Sequence, residues 1–353
     1  MSATAARWVD HVIGDIPIRQ WVLTLPHPLR YLLAYDPSLC TAVLRAFICS
    51  VFGWLRRTAK TELGLRSVND AHPAALTVVQ RVSSHLGLNP HFHTLASDGV
   101  YVEDTTGRLV FRALPAPSKA DVTAVAWATL HRTLAVLRKR GIWFDDDPAE
   151  DKLAQDQPGL AAIAAASISG MLRSKRSERA VDLFAHAAND DVVPQAQTPG
   201  YGFNVHAAVR IGAHDRTGRE RLCRYVTRPE LSQGRVSVGV DGQVQITLKR
   251  AWSDGRTAVS FTPLVFMARL AVMVPPPRMH RTRYHGLWAP HAARRAEATP
   301  AVESAGECGH GKPGAPEQAK RKRYDWASLL ARVFAVDVLT CGRCGAGAMQ
   351  RIG

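Results

Sequence analysis

The run Asn89-Pro90-His91-Phe92-His93-Thr94-Leu95, with Ser97-Asp98-Gly99-Val100-Tyr101 close behind it, constrains this chain more than any other stretch. Its alternation is that of a β-strand, where neighbouring side chains point to opposite faces. His91 and His93 therefore share one face, and Phe92 turns to the other. Such a strand needs a sheet with an apolar face pressed against a covering layer. Two imidazoles facing the same way are nitrogen donors for one divalent cation. The bland reading is a pair of histidines on the wet face of an antiparallel strand.

Around that strand the chain reads as mixed, with short strands and long helices. Residues 20–25 (QWVLTL) form a strand ended by Pro26, and 75–82 (ALTVVQRV) form a β-branched second one. The histidine strand is expected to run to about residue 102, with Asp98-Gly99 as a local turn or bulge. A further strand is expected at 109–114. The periodicity predicts one helix over 29–63, with a basic end at Arg56, Arg57 and Lys60. It predicts a second over 120–140, opened by Ser118 and closed near Gly141. Residues 203–211 return to a strand, and 217–227 to a helix stopped by Pro229. A hairpin region is expected over 235–261 with its turn at 240–243, then a helix over 263–274 before Pro275-Pro276-Pro277.

The expected fold class is α+β. Residues 1–230 are expected to form the main domain, with an acidic and then Ala-rich insertion at 145–200. A β-hairpin and helix region with basic decoration follows at 231–292, a linker at 293–322, and a C-terminal helix with a cysteine knuckle at 323–353. No Gly-rich phosphate loop, G-x-S-x-G or dinucleotide fingerprint occurs, which argues against those enzyme classes.

Composition bears on the partner. A formal charge of +15 over 353 residues points to a polyanion, nucleic acid before membrane. The opening residues do not follow a charged segment with an apolar one, so no secretory signal is expected. The best apolar runs, 46–55 and 160–172, are short and broken by polar residues, so no membrane span is expected. Cys40, Cys49, Cys223, Cys308, Cys341 and Cys344 do not resemble a disulfide framework. A reducing, bacterial-type cytoplasm is the default.

Four groups of residues carry candidate chemistry. The first is His91 and His93, which with an oxygen donor from a neighbouring strand would hold Mg²⁺ or Mn²⁺. Gln80 is the favoured third donor, with His206 and His85 as rivals. The second is Tyr225, flanked in Arg221-Leu222-Cys223-Arg224-Tyr225-Val226-Thr227-Arg228 by Arg224 and Arg228. Those cations would hold a phosphate and suit the phenol to attack on phosphorus; the competing reading is an ordinary tyrosine of an amphipathic helix. The third is Cys341-Gly342-Arg343-Cys344, half of a zinc knuckle, completed by Cys308 and His310 or left as an orphan half-site. The fourth is a basic and aromatic cluster containing Arg278, His280, Arg281, Arg283, Tyr284 and His285, with a cationic block at Lys320–Arg323. It suits stacking on unpaired bases with phosphate contact, or is a solvated charged surface.

Five runs then occur in order: Ile18-Arg19-Gln20-Trp21-Val22-Leu23-Thr24-Leu25-Pro26, LNPHFHTLASDGVY (88–101), RLCRYVTRP (221–229), RTRYHGLWAPHA (281–292) and DVLTCGRCG (337–345). Together they closely resemble the rolling-circle insertion-sequence transposases of the IS-ninety-one type and their common-region relatives. The resemblance implies an HUH endonuclease fold, a central antiparallel sheet flanked by helices, with His91 and His93 as metal ligands and Tyr225 as nucleophile. It implies single-stranded DNA at element ends as substrate, cut through a 5′-phosphotyrosine intermediate that leaves a 3′-hydroxyl.

Arg221 stands four residues before Tyr225, where some relatives carry a second tyrosine, so the single-tyrosine branch, or a damaged two-tyrosine one, is expected. Family members commonly begin with a cysteine-rich zinc segment and continue beyond the cysteine knuckle, so a truncated copy is expected. The competing functions are an inactive DNA-binding remnant and a plasmid-type replication initiator or relaxase.

Overall fold

The structure, a computed structural model, describes residues 2–142, 195–198, 201–252, 254–275, 279–300, 324–335 and 337–338. Helix α1 (Ser2–Trp8) runs into a π-helical turn at Val9–Ile13 and is followed by strand β1 (Ile18–Thr24). Helices α2 (His27–Tyr35) and α3 (Pro37–Glu62) come next. Strands β2 (Ala74–Val82), β3 (Leu88–Ser97), β4 (Gly99–Glu103) and β5 (Leu109–Ala113) lead to helix α4 (Lys119–Lys139). Beyond it lie β6 (Gln195–Gln197), β7 (Asn204–His206), β8 (Arg210–Ile211) and helix α5 (Arg216–Thr227). Strands β9 (Val236–Val238), β10 (Val244–Thr247) and β11 (Ala258–Phe261) precede helix α6 (Pro263–Met273). Strand β12 (Thr282–Gly286) and helices α7 (Arg295–Ala298) and α8 (Trp326–Phe334) complete the described elements.

The fold class is α+β. One seven-stranded sheet runs β12-β2-β3-β1-β7-β6, with β8 also paired to β1, and every pairing is antiparallel. The histidine strand β3 therefore lies near its middle, between β2 and β1. On one face Trp21, Leu23, Val79, Phe92, Ala96 and Val205 pack with α3 and α4 into the larger core. On the other face Leu76, Val78 and Leu95 pack with Trp8 of α1, Val9 of the π-helical turn, and Leu222, Cys223 and Val226 of α5. Burying both faces requires apolar residues at both parities of the strands, and β2 is buried along nearly its whole length.

Several elements differ from their sequence expectation for physical reasons. The helix expected over 29–63 is two helices, broken at Asp36-Pro37. The residue before a proline is pushed out of helical geometry, and Asp36 is extended at φ −108°. Its carboxylate then caps α3 by accepting from the Ser38 and Leu39 N–H groups, both at 2.8 Å.

The strand expected to reach residue 102 ends at Ser97, and β4 leaves to form a separate two-stranded ribbon with β5. At the break, Arg19 and Arg210 donate to the buried Asp98 carboxylate at 2.7 and 2.6 Å. Gly99 is required there because a Cβ would sit 2.2 Å from the Arg112 carbonyl oxygen. The expected strand over 203–211 is two short strands, β7 and β8, each paired to β1. The hairpin region is a three-stranded sheet, β11-β10-β9, whose Gly239 N–H donates to the Gln243 carbonyl at 2.8 Å across the turn.

Helix α4 starts where Ser118 predicted, with Asp121 closing a capping box. Helix α1 and strand β12 were not expected. Strand β12 emerges from the basic cluster and pairs with β2, so the 231–292 region contributes an edge strand to the main sheet.

The expectation of no membrane-length segment needs correction. Helix α3 has the length and apolar composition to cross a membrane, but 67% of its most apolar window is buried inside the protein, as a core helix requires. Apart from 195–198, the expected 145–200 insertion lies largely outside the described residues. So do residues 301–322 of the expected linker, and Cys308, His310, Cys341 and Cys344.

Candidate functional site

The site is written in the strand register. Directly opposite residues of an antiparallel pair project to the same face, and so do residues two apart on one strand. His91 lies opposite Thr24 of β1 and Gln80 of β2; His93 lies opposite Val22 and Val78. Val22 in turn lies opposite His206 of β7, and Thr24 opposite Asn204. Gln80, Thr24, Asn204, His91, His93 and His206 thus share the α5-covered face, at the sheet end where its apolar lining gives way to polar side chains. A register shift in β2 between Gln80 and Val82 bounds this patch.

The imidazoles of His91 and His93 meet edge to face, their centroids 4.9 Å apart. His93 is 6% exposed, and its Nδ1 stands 2.7 Å from the Gln20 side-chain amide. Burial, and then the neighbouring His91, hold His93 well below the usual histidine range. It is therefore a neutral imidazole at physiological pH. His91 is half-buried, and its Nδ1 lies 2.6 Å from the Asn89 carbonyl oxygen. A carbonyl only accepts, so Nδ1 of that ring carries a proton, and in the neutral ring the lone pair is on Nε2.

Helix α5 brings the tyrosine. Asp215 caps it by accepting from the Gly218 N–H at 2.7 Å. Leu222, Cys223 and Val226 pin its inner face to the sheet. That packing sets the Tyr225 ring perpendicular to His93, with centroids 6.0 Å apart. Gln80 Nε2 donates to the Val226 carbonyl at 3.3 Å, tying the glutamine beside His91 to the residue next to the tyrosine.

The expected rivals of Gln80 fall elsewhere. His206 is on the same face but one strand beyond Val22 from His93. His85 sits in the turn after β2, with its ring against Trp252 at 5.5 Å.

The basic residues divide. Arg228 is exposed at the C-terminal cap of α5. Arg235 and Lys249 share its neighbourhood: partial burial, and then the surrounding cationic charge, lower both below their ordinary values. Arg224 is half-buried and pairs with Glu220 at 3.5 Å. Arg281 pairs with Glu230 at 2.7 Å. Arg283 lies opposite Thr77, on the Phe92 face, and donates to the His280 carbonyl at 3.0 Å.

The structure thus brings His91, His93, Gln80 and Tyr225 together, places Arg228 at the C-terminal cap of the helix that carries Tyr225, and sets Arg283 on the reverse of the sheet. Sequence reasoning missed Gln20, Thr24 and Asn204, whose alternation is visible but whose partners depend on register. It also missed Arg235 and Lys249, which the turn before β9 and the end of β10 bring near Arg228.

Among the described residues no group of three or more His, Cys, Asp or Glu side chains could hold a metal ion. A cation site here would have to rest on the two imidazoles and the Gln80 carboxamide. The His91 tautomer suits that role, since the second ring nitrogen of a metal-ligating histidine characteristically donates to a carbonyl.

A family model described as "Putative transposase" matches residues 75–296, from β2 into the start of α7, including the histidine strand and α5. The chain belongs to that transposase family. No curated protein and no solved structure matches it. As a transposase it processes DNA, which accounts for the strong positive charge.

Proposed function

We propose that the chain is a single-tyrosine, HUH-type nickase and strand transferase of rolling-circle transposition, acting on single-stranded DNA at element ends in the cytoplasm. The observation that carries this reading is the perpendicular approach of Tyr225 to His93, 6.0 Å between rings, on the face that also holds His91 and Gln80. A tyrosine held by a rigid helix next to two same-facing imidazoles suits phosphoryl transfer, where positioning supplies most of the catalysis.

In this reading the strand enters with a phosphate near Arg228, which gives charge without sequence information. The Tyr225 oxygen attacks phosphorus and loses its proton to water. The P–O3′ bond breaks, the departing oxygen takes a proton from water to become a 3′-hydroxyl, and the phosphate then joins Tyr225 to the 5′ end of the downstream fragment. Joining is the reverse: a 3′-hydroxyl attacks the phosphotyrosine, forms a phosphodiester and releases the phenol. The bond energy is kept in the covalent link, so no nucleotide cofactor is needed.

His91, His93 and Gln80 are the residues that would hold a divalent cation. Two nitrogen donors favour Mn²⁺ over Mg²⁺, which prefers oxygen alone. When bound, such a cation would neutralise charge on the scissile phosphate. The cysteine pair at 341 and 344 would hold Zn²⁺ only with two further ligands.

Incubating the protein with a 5′-labelled and, separately, a 3′-labelled single-stranded oligonucleotide and Mn²⁺ tests the reading. A denaturing gel should show a protein-linked band with the 3′ label only, absent in Tyr225→Phe. Salt-sensitive binding with no adduct on sequences from either element end would favour the inactive remnant instead.

A further inference from the structure

The two histidines are held by partners of different kinds, and that difference has chemical consequences. The Asn89 carbonyl beside His91 Nδ1 can only accept, so the His91 tautomer is fixed by the backbone. His93 Nδ1 instead faces a side-chain carboxamide, that of Gln20, at 2.7 Å. Both residues are buried, Gln20 at 3% and His93 at 6% exposure. They are diagonal neighbours, since Gln20 lies opposite Leu95 and Val22 opposite His93.

A carboxamide presents either a donor or an acceptor to the same point, by a half-turn about its last bond. With the amide nitrogen inward, as in this structure, Nδ1 accepts and the proton resides on Nε2. With the oxygen inward, Nδ1–H donates and Nε2 carries a lone pair. Only the second arrangement makes the outward nitrogen of His93 a ligand. Few other side chains could do this here, because β1 and β3 are hydrogen-bonded neighbours and the flanking positions Val22 and Leu95 are apolar.

The geometry points to Gln20 as a positioning residue that sets the His93 tautomer, and through it the ability of the histidine pair to take a divalent cation. This rests on the reading of His91 and His93 as a cation site. Gln20 acts through the ring of His93. The backbone-held His91 is the constant member of the pair and His93 the adjustable one.

The test is Mn²⁺ binding by the whole protein, read by electron paramagnetic resonance without DNA, for wild type, Gln20→Met, Gln20→Glu and His91→Ala/His93→Ala. Methionine keeps the shape and removes the acceptor, so Mn²⁺ affinity should fall about 10- to 100-fold. Glutamate can only accept when ionised, so it should restore wild-type affinity or exceed it. Its metal-free ¹⁵N spectrum should place the His93 proton on Nδ1.

If Gln20→Met keeps its Mn²⁺ affinity within twofold, while the double histidine variant loses it, the role of Gln20 is wrong and the cation site stands. Binding that survives in the double variant overturns both. Should Gln20→Met fail to fold by circular dichroism, Gln20→Glu decides: weakened Mn²⁺ binding, or a proton on Nε2, refutes the inference.

Discussion

On one face of the seven-stranded sheet, Trp21, Leu23, Val79 and Phe92 press against α3 and α4; on the other, one residue out of step, lie Gln20, Gln80, His91 and His93, of which Gln80 and His93 meet α5. The same strands carry both sets, and parity alone decides which side a residue serves. Near the middle of the sheet both faces are apolar. Toward the His91 end only the Phe92 face remains so. Stability and chemistry are thereby separated by a single step along the backbone, and a slip of one residue in register would exchange them.

The sharpest way to break this comparison is to shave adjacent residues of β3. Phe92 is fully buried, so Phe92→Ala should cost about 3–5 kcal/mol in denaturant unfolding. The half-buried His91→Ala should cost below about 1 kcal/mol while removing Mn²⁺ binding. Equal stability losses at the two positions would mean that the faces are not functionally distinct.

A second histidine sharpens the contrast from the apolar side. His285 of β12 lies on the Phe92 face, near Thr77 Oγ1 at 3.1 Å. Burial, and then the Arg283 charge, push it down to about 4 from its ordinary 6.5. The unfolded chain therefore binds the proton first. The stability this neutral ring contributes is full above pH 6.5 and is lost as pH falls toward about 4, by up to about 3 kcal/mol. His285→Asn should flatten that part of the stability-pH curve. An unchanged slope would show that His285 titrates as an exposed group does.

The arginines offer a smaller test. Arg228 is exposed beside α5, and Arg283 is on the reverse face. Arg228→Ala should reduce the slope of log affinity against log salt for single-stranded DNA by about 0.7. Arg283→Ala should leave that slope unchanged, and Arg224→Ala should act weakly because Glu220 already offsets its charge. A drop in slope with Arg283→Ala would place the DNA path across both faces.

Much of this was legible beforehand. Alternation set out β1, β2 and β3 and placed His91 with His93, because side-chain parity is a local property. The cap at Ser118 was equally local. Strand β12 escaped because Arg281, Arg283 and His285 look like surface decoration, and charged residues are the usual dress of an edge strand. The break at Asp36-Pro37 escaped because apolar periodicity continues across it, although proline after a capping aspartate marks a helix start. The contacts of Gln20 with His93 and of Gln80 with Val226 span 73 and 146 residues. They depend on register and packing, which no local pattern carries.

The central claim is that Tyr225 and the histidine pair share one cation site. Selective ¹³C labelling of the tyrosine rings, followed during Mn²⁺ titration, tests it directly, since paramagnetic broadening falls steeply with distance. The Tyr225 signals should vanish at substoichiometric Mn²⁺ while those of the exposed Tyr35 and Tyr201 persist, and the effect should disappear in His91→Ala/His93→Ala. Tyr225 resonances that stay sharp while Mn²⁺ binds at the histidines would contradict the account.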